Sequence, residues 1–493
     1  MKALFNRLWS KRAVRATVWT LVSLVTLAIL LARLADWQGQ RRLNSIRETL
    51  ASEGETLDFQ AILLDAEADE SNFCATPALN GIADETAGKA NREALGIFEL
   101  KAREGKKLPA TATPALTGQR PSLAPWVESL IETPHAGPQD LLAALSAQDR
   151  LLTELVGALA RPASQWTPAW KSRELPAFLF ALPLPHYSTT QDLTKSLAVR
   201  SLAEVDLGNA SAAHANVRII TRLSEANSGD PVLIGLLVGC AQASLAANGA
   251  WTICETRLGT AEDFARLQAD FARLDFVRAA QLAWRGEMAA GASSILAMAG
   301  SAPDRRQILD KSEFSNLHLV PRGLIRNNAA VLTELQWNHC LKPVKQGGLP
   351  ALYDGSTALD ASLGDLQGSP LRKAGSFLAL LSMPASASIA MTAIQAQVLA
   401  TQAEIACALE RHFLTHQQYP ETLSELISVG AIDPWTGDPM RYTKTSDGRY
   451  RLWSVGPDRV DDGGKRNLDP ADPGKTKFRD PAYRGDWVWS YSD

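Results

Sequence analysis

Asp433-Pro434-Trp435-Thr436-Gly437-Asp438-Pro439 is the stretch that decides the fold of the C-terminal part of this 493-residue sequence. Aspartate, proline and glycine at these positions favour a tight turn, because their backbone preferences suit turn conformations. Trp435 adds a large apolar side chain that can anchor the turn to a core. The stretch therefore predicts an anchored turn, and the residues on either side decide what that turn connects.

A long amphipathic helix is predicted before this turn. It begins near residue 385, and its apolar stripe has steps of three, four and seven residues, formed by Met391, Ile394, Val398, Ile405, Leu409 and Phe413. Tyr419-Pro420 ends the helix, because the residue before a proline is pushed out of the α conformation. Residues 422–427 then predict a short helix that stops at Gly430.

A small antiparallel sheet is predicted after the turn. Alternating residues at 440–443 and 450–454 indicate two strands, and Ser446-Asp447-Gly448 between them indicates a hairpin turn. A polar loop rich in aspartate and glycine follows, and Asp486-Trp487-Val488-Trp489 predicts a closing edge strand. Residues 385–493, the terminal module, are therefore predicted to form a small α+β unit.

The order of these features resembles the soluble head of the major pseudopilin of type II secretion systems. In that family, a helix with an Ala-Leu-Glu-Arg-like turn ends at Tyr-Pro, and a short helix leads to Asp-Pro-Trp-Gly. A Tyr-containing strand, a Ser-x-Gly-x-Asp segment and a closing Asp before Trp follow. The matching residues here are Ala408-Leu409-Glu410-Arg411, Tyr419-Pro420, Asp433-Pro434-Trp435 with Gly437, Tyr442, Ser454, Gly456, Asp458 and Asp486-Trp487. The resemblance implies a pseudopilin-like head and a role in a secretion- or pilus-related assembly.

The resemblance also implies that the last loop binds one calcium ion. By position, Asp458 and Asp486 flank that loop, and Asp461 and Asp462 lie within it. The chemistry fits, because Ca²⁺ takes roughly six to eight oxygen ligands and a flexible loop with several aspartates can fold around it. The alternative is a solvated loop whose aspartates only cap and turn the backbone.

Two features depart from the pseudopilin pattern. The hydrophobic span of this chain lies far upstream of the terminal module. The peptidase signal of the family, a glycine followed by Phe-Thr and a glutamate, is absent before Ala16. The resemblance therefore predicts a head that is used as an appended folding or docking module.

The N-terminus predicts a membrane anchor. Residues 16–32 carry no charge, which is the lower end of the roughly 17 to 25 residues that cross a bilayer. We predict a transmembrane helix over 16–33 after a cytoplasmic segment, 1–15. A cleaved signal peptide is the competing interpretation, but no small-residue cleavage site follows the span. Slightly more basic residues precede the span than follow it, so most of the chain is predicted to lie on the periplasmic side of the inner membrane.

Composition excludes some classes of protein and of site. Lys and Arg number 50 against 53 Asp and Glu, for a net charge of −3, so no basic surplus exists to bind nucleic acid. The five cysteines are scattered without CxxC spacing, which argues against a zinc ribbon or a disulfide framework. We interpret most of them as small buried side chains. They are Cys74, Cys240, Cys254, Cys340 and Cys407.

Most of the remaining chain is predicted to be helical. Residues 34–125 are interpreted as a membrane-proximal region followed by a proline-rich linker, and 126–341 as an α-helical array. Gly208-Asn209 separates two predicted helices of the array, and this helix–turn–helix unit weakly resembles a tetratricopeptide repeat. No second copy of the unit follows at a fixed period in the sequence. Glycines and prolines gather again at 342–384, which predicts a second linker. The fold class is therefore mainly α.

Catalytic motifs are not evident in the sequence. His412 and His416 stand at i, i+4, close enough to share a metal, but lack a clear third ligand and are interpreted as a helix face. His339-Cys340 lacks an orienting carboxylate and is interpreted as a packed pair. Trp284-Arg285-Gly286-Glu287 can seat an Arg–Glu pair between helices, interpreted as structural.

Three functions are consistent with these features. The first is a non-enzymatic, membrane-anchored envelope protein that acts as a scaffold or docking module. The alternative is a membrane-anchored hydrolase or carbohydrate-active enzyme, with a site made of dispersed Asp and Glu residues. A weaker third option is a sensor that reads calcium through the terminal loop.

Overall fold

The structure of the protein, a computed structural model, is mainly α-helical with a small antiparallel sheet near the C-terminus. Residues 1–10, and 427–431 at the end of the predicted short helix, lie outside the described residues. The structure describes residues 11–63, 65, 67–79, 82, 93, 95–97, 99–109, 113–166, 179, 184–300, 320–426 and 432–491.

The helices and strands follow one another in a simple order, with the sheet last. The helices are α1 Lys11–Ser52, α2 Phe59–Ile62, α3 Pro114–Thr117, α4 Ala124–Leu130, α5 Pro138–Ala144, α6 Asp149–Ala158, α7 Pro185–Asp206, α8 Ala210–Ser228, α9 Leu233–Thr256, α10 Ala261–Phe271, α11 Phe276–Ala297, α12 Arg322–Gln336, α13 Lys342–Gln367, α14 Pro370–Leu381 and α15 Ser386–His416. The strands are β1 Arg441–Lys444, β2 Tyr450–Ser454 and β3 Trp487–Ser490.

Helix α1 runs without interruption from the predicted anchor into the body of the protein. It has 42 residues, which is about 63 Å at 1.5 Å per residue. Large apolar side chains of its first half, such as Trp19 and Leu30, are exposed. In its second half Leu43, Ile46 and Leu50 are buried at helical spacing. The predicted apolar helix at the N-terminus is confirmed, whereas the membrane and the orientation stay predictions.

Three helical segments in the described part of the chain are long and apolar enough to cross a membrane: Val14–Ser52, Leu233–Thr256 and Gly375–His416. The most apolar window of the first segment is fully exposed. The corresponding windows of the other two are 67% and 44% buried inside the protein. Exposure therefore singles out the N-terminal segment as the candidate anchor.

The second half of α1 packs against α12. The two backbones meet at Gly39 and Gly323, where a side chain on either residue would clash with the backbone of the other helix. Arg42 makes a bidentate ion pair with Glu334, with N–O distances of 2.9 and 2.6 Å. This joint begins just past the end of the predicted span at residue 33, so no flexible linker separates the anchor from the body.

The helical array forms most of the core. Helix α9 packs against α7, α8, α11 and α15, and a continuous apolar core extends from Leu43 to Tyr491. The predicted turn between α7 and α8 is confirmed, because Gly208 adopts the left-handed conformation with φ of 74°. The likeness to tetratricopeptide repeats stays a prediction.

The predicted linker at 342–384 is helical, so that prediction is wrong for secondary structure. Gly347 and Gly348 kink α13 instead of ending it. Pro343 and Pro370 lie in the first turns of α13 and α14. Backbone N–H groups in the first turn of a helix have no partner within the helix, so a proline, which lacks this group, is tolerated there. Glycine and proline thus mark a kink and helix starts here.

The proline-rich linker before residue 125 is also partly structural. Helix α3 is fully buried, and it packs against α9 and β3. Pro114 begins this helix and Gly118 ends it in the left-handed conformation. Composition alone predicts an exposed connector here, but Pro114 and Gly118 begin and end a buried turn of helix.

The terminal module has the predicted elements in the predicted order. Helix α15 ends at His416. Where a helix over 422–427 is predicted, the structure has a short 3₁₀ turn, Leu423–Glu425. The strands form an antiparallel sheet in the order β1-β2-β3. The register pairs Tyr442 with Leu452 and Leu452 with Trp489. The prediction of β3 as an edge strand is confirmed.

The terminal module is not separated from the array by a gap in packing. Helix α15 lies against α9, α10 and α13. Trp251 of α9 donates a hydrogen bond to the carbonyl oxygen of Ser490 at 3.2 Å, and Gln402 of α15 donates to that of Trp487 at 2.7 Å. The division of the chain into domains stays a prediction, but the core itself is shared.

Candidate functional site

The predicted turn at Asp433 is held by the buried carboxylate of that residue, both oxygens of which accept hydrogen bonds. One Asp433 oxygen accepts from the backbone N–H of Trp435 at 3.0 Å and from the Ser454 hydroxyl at 2.7 Å. The other accepts from the backbone N–H of Val455 at 3.2 Å and from Arg441 at 3.1 Å. The charge is therefore compensated inside the module, which explains why this aspartate can be completely buried.

Trp435 anchors this turn as predicted. Its ring packs edge-on against Tyr353 of α13 and Trp487 of β3, with centroid distances of 5.7 and 6.1 Å. Arg459 lies over the same ring and also pairs with Asp354 at 2.7 Å. The turn thus fixes the sheet to the helix that replaces the predicted linker.

A second buried carboxylate, Glu410 of α15, lies where the terminal module meets the array. Tyr419 donates a hydrogen bond to Glu410 Oε1 at 2.9 Å. Arg257, in the left-handed position that ends α9, places its Nε 3.7 Å from Glu410 Oε2 and donates to the Tyr419 hydroxyl at 3.3 Å. Its guanidinium also lies 3.8 Å from the centre of the Phe413 ring. The residues of the Ala-Leu-Glu-Arg and Tyr-Pro motifs are therefore joined by an arginine of the array.

Burial dominates the electrostatics of this cluster. It raises the pKa of Glu410 to about 7, although Tyr419 and Arg257 both favour the ionised form. It also raises the pKa of Tyr450, whose hydroxyl lies 2.6 Å from that of Tyr491. Glu410 has no exposed surface, so we interpret the cluster as a joint between two parts of the core and not as a catalytic site.

Asp486, one of the four predicted calcium ligands, lies behind the terminal loop. It is completely buried, and its two oxygens accept from the backbone N–H groups of Gly464 at 2.7 Å and Asp462 at 3.3 Å. Burial raises the pKa of Asp486 to about 6, and the charges of Asp461 and Asp462 raise it as well. The two hydrogen bonds from the backbone lower the pKa and only partly compensate. No cation is within ion-pair distance of Asp486 among the described residues.

The other predicted ligands are engaged elsewhere. Asp461 accepts from Trp453 Nε1 and from the N–H of Gly463, both at 3.0 Å, and pairs with Arg441 at 3.1 Å. Asp458 accepts from the backbone N–H of Val460 at 3.2 Å. Within the described ranges, no group of three or more His, Cys, Asp or Glu is placed to hold a metal ion. The partners of Asp461 are therefore Arg441, Trp453 and Gly463, and calcium binding by the four aspartates stays a prediction.

The histidine pair of α15 is brought together. The rings of His412 and His416 are stacked with centroids 4.1 Å apart and an interplanar angle of 28°. His416 is exposed and His412 is half-buried, so the interpretation as a partly exposed helix face is confirmed.

The structure does not join His339 and Cys340 into a reactive pair. Both lie in the π-helical turn Trp337–Leu341 that follows α12. His339 Nε2 lies 3.2 Å from the hydroxyl of Ser362, whereas Cys340 is buried beside Ser356 and Ser386. The two side chains therefore contact different partners.

All five cysteines are buried with free thiols, which confirms their interpretation as small buried side chains. Burial raises the pKa of Cys240 and of Cys340, so these thiols are held in the unreactive protonated form. Nucleophilic chemistry at these two positions is therefore disfavoured.

Arg285 of α11 does form an ion pair, but its partner is Glu55 in the loop between α1 and α2, at 2.8 and 2.9 Å. Lys345 joins them at 2.6 Å. Burial alone would raise the pKa of Glu55, but Arg285 and Lys345 outweigh it and the pKa is lowered. Glu287 instead accepts from the backbone at Leu233, where α9 begins.

Several buried carboxyl groups have raised pKa values, which is the feature that a hydrolase with dispersed carboxylates requires. Burial raises the pKa of Glu287, Glu404 and Glu410 to about 7. Glu404 and Glu410 are six residues apart on α15 and so point to different sides of that helix. These two glutamates therefore do not form an acid–base pair, and the hydrolase stays a prediction.

Two important residues, Arg257 and Glu55, are missed by sequence reasoning. Arg257 precedes Leu258-Gly259 and looks like an ordinary basic residue at a helix end. Its left-handed backbone, with φ of 50°, directs the chain so that the side chain reaches Glu410. Only a signal that pairs distant positions would have found these contacts.

These contacts are what a functional assignment has to be built on, since comparison with known proteins supplies no relative. No protein-family model, curated protein or solved structure matches this chain.

Proposed function

We propose that this protein is a single-pass, membrane-anchored and non-enzymatic scaffold of the cell envelope, which docks protein partners in a secretion- or pilus-related assembly. One observation carries the proposal: α1 is a single helix with an exposed apolar half and a half that is built into the core. Such a helix holds the body at a fixed height above a membrane.

The rigidity of this connection supports a docking role. Gly323 of α12 contacts the backbone of Ala35 and Asp36, and Arg326 pairs with Asp36 at 2.9 Å. The body is therefore attached within a few residues of the predicted span. A docking component benefits from this, because the same face is presented to a partner in every copy.

The link to secretion rests on the terminal module. Glu410, Tyr419, Asp433, Trp435 and Asp486, which carry the resemblance to pseudopilin heads, are all buried inside the module. They support a shared packing scheme. Partners would then be recognised by the outer surface of the module.

Topology is the first test. Because the native cysteines are buried, Ser446→Cys in the exposed hairpin turn gives a selective site for a membrane-impermeant maleimide. We expect labelling in cells with an intact cytoplasmic membrane. Labelling only after lysis would contradict an extracytoplasmic body.

Docking is tested by crosslinking in cells. We expect the full chain to be crosslinked to an envelope protein, and a variant with Leu24→Lys and Leu27→Lys to leave the membrane and lose that product. Lysine is costly at the centre of a spanning helix, so the double substitution removes the anchor without touching the packed half of α1. If the anchored chain runs alone and forms no crosslinked product, the docking function is wrong.

We also propose that the terminal loop binds one calcium ion through Asp458, Asp461, Asp462 and Asp486. The supporting observation is the raised pKa of Asp486, since a cation would offset its burial and the repulsion from Asp461 and Asp462, which together raise that pKa. We expect millimolar Ca²⁺, but not Mg²⁺, to raise the Tm of the full chain by about 2 °C. Asp458→Ala should reduce this shift. An identical Tm with and without calcium in both proteins would remove the site.

A further inference from the structure

The last two turns of α15 carry two imidazoles that face each other at the protein surface. His412 and His416 have ring centroids 4.1 Å apart. His416 Nδ1 lies 3.0 Å from the backbone carbonyl oxygen of His412. Because a carbonyl only accepts, Nδ1 is the donor of this bond, so Nε2 is the nitrogen left to coordinate an ion. One ring is thus oriented as a metal ligand by a hydrogen bond from its other nitrogen.

The surroundings favour a cation at this pair. Burial is the largest cause that lowers the pKa of His412, the neighbouring His416 acts in the same direction, and the charge of Glu425 opposes both. Glu425 lines the same surface depression as His412, together with Glu262 and Arg411. The carbonyl groups at the C-terminus of α15 add a partial negative charge of about half a unit. Glu425 and the end of α15 therefore place negative charge beside His412, while Arg411 adds one positive charge and Glu262 is paired with Arg266.

We propose that His412 and His416 bind one divalent transition-metal ion, such as Ni²⁺ or Zn²⁺, through one imidazole nitrogen each. Bonds of about 2.0–2.1 Å place two ligand nitrogens roughly 3–4 Å apart, and two histidines one helical turn apart can reach this spacing when their rings turn from the stacked arrangement toward a shared ion. Water completes the coordination, and the Glu425 carboxylate supplies charge nearby. The protein supplies only two ligands at this site. It is therefore compatible with the absence, among the described residues, of any group of three or more possible metal ligands.

The choice of metal follows from the ligands. Imidazole binds Zn²⁺, Ni²⁺ and Cu²⁺ well, whereas Ca²⁺ and Mg²⁺ require oxygen ligands. This site therefore differs in chemistry from the aspartate loop, and each can be tested while the other is unoccupied.

The test is calorimetric titration of the detergent-solubilised full chain, purified with a tag that contains no histidine, with Ni²⁺ and separately with Zn²⁺. We expect one ion per chain near pH 7.5 and loss of binding below about pH 6, where imidazoles are protonated. His412→Ala and His416→Ala should each weaken binding by about 100-fold, because a two-point attachment becomes a single one. Both residues lie at the surface, and circular dichroism checks that the variants remain folded.

Two further variants sharpen the result. His135→Asn removes another exposed histidine and should bind as the unmodified chain does. Glu425→Gln keeps an acceptor for the backbone N–H of Thr422 while removing the charge, and should weaken binding by less than either histidine variant. If the unmodified chain takes up no ion, or if both histidine variants bind as tightly as it does, the site is wrong. Competition by Ca²⁺ would also overturn it.

Discussion

The two ends of this chain are attached to the same helical body in chemically different ways. At the N-terminal joint, Gly39 and Gly323 let two helix backbones touch, and the ion pairs of that joint are partly exposed. At the C-terminal joint, Arg257 of the array reaches the fully buried Glu410 of α15. The first joint depends on shape, and the second depends on charge in a low-dielectric interior.

The difference shows which substitutions each joint tolerates. A surface ion pair contributes little, because water screens it and solvates each partner after the other is removed. A buried carboxylate that loses its cation has no such replacement. The N-terminal joint should therefore be sensitive to volume and insensitive to charge, and the C-terminal joint should show the opposite behaviour.

The largest effect is expected for Arg257→Ala, which removes the ion-pair partner of Glu410 and leaves only the more distant charge of Arg449. Near pH 8.5 we expect a loss of about 3 kcal/mol in the free energy of unfolding. Near pH 5.5 the loss should be smaller, because Glu410, with its pKa of about 7, is then protonated in either protein. Urea unfolding at the two pH values measures both.

Arg266→Ala is the matched control for that experiment. Arg266 pairs with Glu262 on the surface of α10, and its removal should cost less than about 0.5 kcal/mol at either pH. Equal losses of unfolding free energy for the two variants would contradict a C-terminal joint that depends on charge. So would a loss for Arg257→Ala that is the same at both pH values. The double variant Arg257→Ala with Glu410→Gln should recover part of the stability.

The next effect concerns shape, at Gly323→Ala. An added Cβ would lie 2.3 Å from the backbone of Ala35 and Asp36, so α1 and α12 must separate. Overpacking outweighs the gain in helix propensity, and we expect a net loss of about 2 kcal/mol. Protease cleavage within residues 34–52 should also accelerate.

Gly364→Ala in α13 is the control for shape, because no atom lies near its added Cβ. This variant should gain about 0.5–1 kcal/mol from helix propensity. A Gly323 variant that behaves like the Gly364 variant would show that the close approach of the two helices is not needed.

A smaller effect is expected from the titration of Glu410. Its pKa in the folded protein is raised, so the folded state takes up a proton as the pH falls through about 7 and stability increases below that value. Glu410→Gln should therefore flatten the stability profile by about 1 kcal/mol between pH 8 and pH 6. Thermal unfolding across that range measures the slope. An unchanged slope would mean that Glu410 does not titrate there.

The smallest effect is expected for Arg42→Ala at the N-terminal joint. Its bidentate pair with Glu334 is partly exposed, so the loss should be below about 1 kcal/mol and should shrink further in high salt. A loss as large as that at Arg257 would remove the distinction between the two joints.

The terminal module could be predicted from sequence because its signals are local. Apolar spacing gave α15, alternation gave β1 and β2, and Asp433 with Trp435 gave an anchored turn. The same local signals misled at 342–384, since a proline that starts a helix has the same composition as a proline in a loop. Local patterns say where the chain bends, but only packing decides whether a bend ends a helix.

The candidate site was less predictable for a related reason. The four aspartates follow from the resemblance by their position along the loop, and that position does not reveal the contacts of Asp461 with Arg441 and Trp453. The roles of Arg257 and Glu55 depend on partners far away in sequence. By contrast, His412 and His416 are neighbours on one helix, so their approach follows from helical geometry alone.

The hydrogen bond between Trp251 and Ser490 has a consequence for biosynthesis. It joins residues 239 positions apart, and Ser490 lies near the end of the chain. At roughly 5–20 residues per second, a ribosome needs about 12 to 48 s to make the intervening polypeptide. For the first part of that interval α9, which is apolar enough to enter a bilayer, has neither α15 nor β3 to cover it, and β3 is added last. Helices α7 and α8 precede α9 in the chain and can pack on it early, whereas the contact with β3 forms last.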